Sequence, residues 1–526
     1  MKKALGKILC GATLLLGLPL TFTGCDEILG EWSKPAPVPG APNTPTPTPT
    51  PTPASKTAGA ISYATASLAK GSQDPAFTNE LTITGDGTVS YSSSNEAVAT
   101  VDPNTGEVTP KGTGTVEITA TVSDSETYTY ETNTASYSLN VTDGYQYQKW
   151  DGSKFITQYA ATSDCQELVD AASATWDNTK IYVAKGNVTI SGDVTVSANS
   201  ELILCDGATL TINGKLNDNG TGYDLTIYAQ SDGVKMGVLN ASANMTKNTD
   251  ETIRFRNLTI HGGKITATTE GTTYTDCVSM YASNALTMYG GDVTALGNSR
   301  RGSGISANTI NITNNVKLVA KGGNNSSEEG GQGIYNSSAA TISVSGNAIL
   351  TVTGGNSETT NGGTAVGMNL TASGNANVKI TGGNTDANAT GGHGVSGNVT
   401  ASGNATLEIT AGDGYNGGTG IYSALTISEN ASVKVKGGNS THVSYTPGDA
   451  IDQVDYRGGS FTATGGINND NTKKGKAIQT SITNNSASDV DFEYSSDGSN
   501  WTTKQVAKTN TWSDATVNSL YIRTKP

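Results

Sequence analysis

Six side chains between positions 328 and 415 combine the atom types and spacing that ligand binding needs: Glu328, Glu329, Glu358, Asp386, Asp413 and Tyr415. Each sits a few residues after a glycine-rich step, so a chain that folds at that period sets them side by side along one edge. Carboxylates supply the hard oxygens that Ca2+ prefers, and a tyrosine face suits a sugar ring. His442 and Tyr445 continue the series. Loops of this composition also stay soluble with no ligand at all. Ca2+ is thus the cofactor the loop acids would accept, and the sequence demands none. Cys165, Cys205 and Cys277 lack metal-ligand spacing and are expected to pack in the interior.

The elements that must position these residues come from a repeat. Gly290-Gly291, Gly322-Gly323, Gly354-Gly355, Gly382-Gly383, Ala411-Gly412, Gly437-Gly438 and Gly465-Gly466 recur every 26 to 32 residues, each just after a short alternating strand. Self-similarity of this kind signals a solenoid, whose units bury their apolar faces by stacking on one another. Thr341-Ile342-Ser343-Val344 and Ile349-Leu350-Thr351-Val352 show the period of two of half-buried strands. Between them Ser345-Gly346-Asn347-Ala348 makes a corner that returns at Ser373, Ser402 and, altered, at Ser428-Glu429-Asn430-Ala431. Gly and Asn both tolerate positive φ there. The corner asparagines and those at Asn324, Asn356, Asn384 and Asn439 are expected to align along the stack and hydrogen-bond one another.

Three strands per coil with polar corners resemble the right-handed parallel β-helix of pectate lyases, polygalacturonases and many surface adhesins, over roughly 180–520. The resemblance implies a fold, and the activity needs its own test. Gly392-His393-Gly394 and Asn384-Thr385-Asp386 are similar to two short polygalacturonase motifs, but the adjacent aspartate pair and the Arg-Ile-Lys segment of that family are missing. Inverting hydrolysis needs two carboxylates held about 6.5 to 9.5 Å apart. Lyase chemistry needs a base beside a calcium cluster, and Arg300 and Arg301 have no acidic cluster near them in sequence. His393 then reads as a solvated loop residue, and the expectation is a chain that is not an enzyme. The repeat also resembles a calcium-dependent pectate-binding β-helix family, whose acidic clusters are denser.

Composition narrows the partners. Formal net charge is −14, which argues against nucleic acid and against electrostatic docking on anionic lipid. Charged residues are 15% of the chain against about 25% usually, so the surface is mostly neutral polar. Lys2, Lys3 and Lys7 precede an apolar stretch, Ile8 to Leu20, that is too short to span a bilayer and is shaped like a signal peptide. Phe22-Thr23-Gly24-Cys25 resembles a bacterial lipobox, which implies cleavage before Cys25 and a diacylglyceryl group on its thiol. Pro35 to Ala54, with Thr-Pro alternation, should run as extended polyproline II for about 60 Å.

From Thr57 to Thr142 the strands lengthen. Val98-Ala99-Thr100-Val101-Asp102, Gly106-Glu107-Val108 and Gly112-Thr113-Gly114-Thr115-Val116-Glu117-Ile118 resemble a group 2 bacterial immunoglobulin-like domain, with Tyr91 where that family often has Trp. Turn spacing alone predicts a sandwich of this length. Asp164-Cys165-Gln166-Glu167 opens with a capping-box pattern, so Leu168 to Ala172 is expected to be a short helix capping the first coil. At the far end Val490 to Ser495 and Asn500 to Thr503 flank Asp497-Gly498 as a hairpin, and with Trp512 and Leu520-Tyr521-Ile522 they form a small β cap.

The expected organisation is all-β: leader 1–24, tether 25–56, immunoglobulin-like sandwich 57–142, parallel β-helix with an N-terminal cap 143–485, and C-terminal cap 486–526. The expected function is a non-catalytic adhesive or carbohydrate-binding platform, with a polysaccharide or an extracellular host surface protein as partner. A polysaccharide-active enzyme and a purely structural surface component are the competing readings. The expected location is the cell envelope, lipid-anchored at the outer membrane or surface of a diderm bacterium through Cys25 alone, with the leaflet open.

Overall fold

The computed structural model describes residues 55–526, apart from 272, 337–339, 486–487, 509, 513–516 and 526. The expected leader, the lipidation site Cys25 and the tether as far as 54 lie outside the described residues. Strand is nearly the whole secondary structure; among the described residues the helical segments are two three-residue 3-10 turns, Thr162–Asp164 and Gly233–Lys235.

The alternation in Gly114–Val122 buries Val116, Ile118, Ala120 and Val122 and leaves the intervening side chains less buried. That strand lies between Val89–Ser93 and Thr134–Thr142, and Ser67–Gly71 completes a four-stranded sheet by pairing parallel to Thr134–Thr142. The pairs Ala60–Tyr63 with Leu81–Thr84 and Ala99–Val101 with Val108–Pro110 supply the other residues of the sandwich core. Tyr91 is half-buried, and Gly106 lies beneath its ring: a Cβ there would sit 2.8 Å from the aromatic carbons.

The solenoid begins as the sequence pattern requires, with three strands per coil: Ile181–Ala184, Asn187–Ile190 and Val194–Val196, then Ser200–Leu204, Thr209–Ile212 and Leu216–Asn217. Each pairs parallel to its equivalent in the next coil. Farther along, the last strand of one coil runs into the first of the next, as in Glu251–Ile260, Val278–Met288 and Ser303–Ile312, with a register shift at each corner. Among the described residues two ladders of 18 and 14 strands result. In-register pairing sets core residues in columns: Val188, Leu210, Leu239, Ile265, Val293 and Leu318 follow one another and all are buried. Each such side chain contributes about 1.5–3 kcal/mol on leaving water, and only the stack provides that burial.

The corners carry the expected ladder. Asn347 Nδ2 donates to Asn315 Oδ1, Asn375 to Asn347, Asn404 to Asn375 and Asn430 to Asn404, at 3.0–3.3 Å. Gly346, Gly374 and Gly403 hold φ of +67°, +66° and +64°, and Glu429 takes the same conformation at +58°. The asparagines after the glycine pairs stack differently from expectation: Asn324 Oδ1 accepts the backbone N–H of Asn356, and Asn356 Oδ1 that of Asn384, so there the side chain splices loop backbones rather than pairing with another amide.

The expected capping helix is absent. Cys165–Glu167 is a strand paired parallel to Ile181–Ala184, and Leu168 N–H continues to Val183 O at 2.8 Å. Five residues of helix do not repay nucleation, whereas the edge of the first coil offers ready backbone partners. Glu167, read as a capping-box acid, instead accepts from the Tyr145 hydroxyl and pairs with Lys185. The flank is covered by an antiparallel hairpin, Tyr145–Trp150 with Phe155–Ala160. Tyr145 and Ala160 join Val183, Ile203, Cys205 and Tyr228 in a second apolar cluster on the outside of the coils. Cys165, Cys205 and Cys277 are free thiols, the last two buried.

At the far end the cap forms as expected. Ser519–Thr524 pairs antiparallel to Ser460–Thr464, closing the 14-stranded ladder, and Val490–Ser495 and Thr502–Val506 extend it. Phe492, Trp512, Leu520 and Ile522 complete the solenoid core.

Candidate functional site

The glycine pairs explain how the loop edge is built. Each loop leaves the coil at one pair and returns at another, and the two necks hydrogen-bond: Gly331 N–H to Gly323 O at 2.8 Å, Gly363 to Gly355 at 2.8 Å, Gly392 to Gly383 at 2.7 Å. The returning neck then accepts from the next coil, Gly355 N–H to Gly331 O at 2.7 Å and Gly383 to Gly363 at 2.8 Å. One zigzag of glycine backbone therefore runs along the stack. A Cβ on Gly355 would lie 1.9 Å from Gly323 O, so close approach, not positive φ, makes these positions glycine. Within the loops Ser357 Oγ donates to Glu328 O, Thr385 Oγ1 to Thr360 O and Ser440 Oγ to Tyr415 O, at 2.6–2.7 Å, pinning each loop to its neighbour.

The structure disperses the six expected ligand residues. Glu358 and Asp386 line an open groove of about 440 Å³ with Asn324, Asn356 and Asn384. Glu328 turns aside to Arg300 at 3.4 Å. Asp413 is consumed by the loop ladder, accepting Asn439 N–H at 2.7 Å. Tyr415 stacks on His442, ring centroids 5.3 Å apart, with Tyr445 edge-on at 5.2 Å. Among the described residues no three His, Cys, Asp or Glu side chains gather where they could hold a metal ion.

Glu329 belongs to a second groove, of about 600 Å³, that the sequence did not disclose. Its floor is the outward column Arg254, Tyr281, Ser306 and Tyr335, one residue per coil in register. Arg254 lies over the Tyr281 ring at 4.9 Å and pairs with Glu251 at 2.6 Å. Arg301, expected to stand apart from acids, meets Asp276 of the preceding coil at 3.3 Å. Burial raises the carboxyls of both Glu251 and Glu329, against the pull of Arg254 and Arg301 respectively. The column was findable: Arg254, Tyr281, Ser306 and Tyr335 each follow the core residue of their strand, Ile253, Met280, Ile305 and Ile334.

His393 is not the solvated residue expected. It is partly buried, its Nδ1 accepts Thr419 N–H at 3.0 Å, and its ring lies 4.7 Å from that of Tyr422. Desolvation holds its pKa below the ordinary histidine value.

Comparison with known proteins finds one family model, the intimin immunoglobulin-like domain, matching residues 80–124. That stretch contains Val89–Ser93 and Gly114–Val122, the two neighbouring strands of the four-stranded sheet. No curated protein and no solved structure matches the chain.

Proposed function

We propose that the chain is a lipid-anchored bacterial surface protein whose solenoid binds carbohydrate without catalysis, held off the membrane by its Thr-Pro tether and immunoglobulin-like spacer. An immunoglobulin-like domain followed by a β-helix fits a surface adhesin-like protein. The observation that carries the carbohydrate reading is the open groove over Arg254, Tyr281, Ser306 and Tyr335, which joins aromatic faces to paired charges. Aromatic rings stack on the apolar faces of sugars, while ion pairs present donors and acceptors to hydroxyls. Lipidation at Cys25 and placement in the outer envelope rest on the lipobox-like Phe22-Thr23-Gly24-Cys25.

An array of plant, microbial and host glycans probed with the whole chain tests this reading. Saturable binding that survives a chelator supports it, because among the described residues no three His, Cys, Asp or Glu side chains gather to hold a metal ion. A blank array refutes it and turns attention to protein partners of the sandwich.

One observation favours an enzyme: Glu251 and Glu329, both raised by burial, lie in the same groove. Against it, Glu251 is held by Arg254 at 2.6 Å, whose charge pulls against the rise that burial gives its carboxyl and ties it up as a pair.

A further inference from the structure

We infer that the groove takes an uncharged, extended glycan lying parallel to the solenoid axis, with one sugar ring on Tyr335 and another against the Arg254–Tyr281 stack; this rests on the carbohydrate reading above. The orientation follows from register. Pairing of Tyr281 with Ser306 and of Ser306 with Tyr335 places the two tyrosines two coils apart on the outward positions of one column. Adjacent coils are about 4.8 Å apart, so the tyrosines stand on the order of 10 Å from each other along the axis, a span that two rings of an extended chain cover. Ser306 between them leaves a dip rather than a wall. The column continues through Gly367 and Ser396 to Tyr422, which is 59% exposed, so a longer chain finds a third aromatic step.

The absence of ligand charge follows from the groove's own balance. Three cations, Lys247, Arg254 and Arg301, face three acids, Glu251, Asp276 and Glu329. Arg254 is paired with Glu251 and Arg301 with Asp276. An acidic sugar meets two guanidiniums already paired with carboxylates and the repulsion of three acids, with Lys247 alone of the groove's cations outside those ion pairs, whereas a neutral hydroxyl can share both partners of a pair.

Titration calorimetry of the whole chain with neutral β-linked hexasaccharides, their disaccharides and oligogalacturonate hexamers tests this. Tyr281→Ala and Tyr335→Ala are each expected to weaken neutral hexamer binding about tenfold. Tyr415→Ala, at the loop edge, should leave it unchanged, and unaltered thermal unfolding will show that both groove variants are folded. Disaccharide should bind far more weakly than hexamer. Two outcomes overturn the inference while leaving the carbohydrate reading standing: a preference for oligogalacturonate, or neutral binding that Tyr415→Ala removes and the groove variants do not. Failure of every glycan to bind overturns both.

Discussion

Trp150 donates its backbone N–H to Nδ1 of His261 at 2.9 Å, and this bond ties the tip of the flanking hairpin to the solenoid wall. The His261 ring is sandwiched between Tyr228 and Tyr289 at 5.0 and 5.1 Å, and Trp150 stacks in turn on Tyr289. An accepting Nδ1 requires the neutral ring in its Nε2–H tautomer, and the site is built for that form.

Burial, helped by Lys149, lowers the His261 pKa from 6.5 to about 4. The unfolded chain therefore takes up a proton below 6.5 that the folded chain refuses until about 4. Stability from this group is complete above the unfolded value and falls as pH drops through that window, by about 3 kcal/mol in all. Denaturant unfolding of wild type and His261→Gln at pH 7.5, 5.5 and 4.5 should show the wild-type advantage shrinking with acid. Asp74, raised to about 6 by burial, titrates in both proteins and cancels in the difference. A pH-independent difference would refute the account.

Gly355→Ala should break the glycine zigzag. Its Cβ would meet backbone oxygen at 1.9 Å, with no flexible side chain to yield. The expected cost is about 3 kcal/mol or more, since the neck and the coil beneath must move apart. Thermal unfolding that matches wild type would show the necks to be looser than described.

Glu429→Gly should stabilise. Glu429 occupies the corner where the preceding coils use glycine, at φ +58°, and a left-handed non-glycine residue costs about 1–2 kcal/mol. The bond its carboxylate accepts from Gly403 N–H is solvent-exposed and offsets only part of this, leaving a gain of about 0.5–1 kcal/mol. A lower unfolding midpoint for the variant would contradict the prediction.

Asp74→Ala should loosen the sandwich from the solenoid. The Asp74 carboxylate accepts Gly71 N–H at 2.7 Å, Gln146 N–H at 3.0 Å and the Gln230 side-chain amide at 2.6 Å, in a site only 4% exposed. Truncation orphans three donors at once, at a cost of about 3 kcal/mol. The check is proteolytic cutting between 142 and 145, faster in the variant; equal rates would show that the junction is held by other contacts.

The sequence displays the stack and conceals much of its chemistry. Ser345-Gly346-Asn347-Ala348 reads as a corner because glycine and a short amide are local signals, and the φ values and amide ladder follow. The necks do not read this way, because the reason for Gly355 is an oxygen on Gly323, 32 residues back. A separation of one coil likewise hides Asp276 from Arg301 and scatters Glu328, Glu329 and Asp413, whose side chains turn according to coil register. The capping-box pattern at Asp164 misleads because strand pairing with Ile181–Ala184 outweighs a local propensity five residues long.

The central claim is that the solenoid holds a glycan and leaves it whole. The most direct test incubates the whole wild-type chain with the glycan it binds best and follows the bound fraction and the polymer length in one sample. Saturable binding with an unchanged length distribution is the predicted result. Shortening of the polymer that disappears in Glu251→Gln or Glu329→Gln would contradict the claim and make the groove an active site.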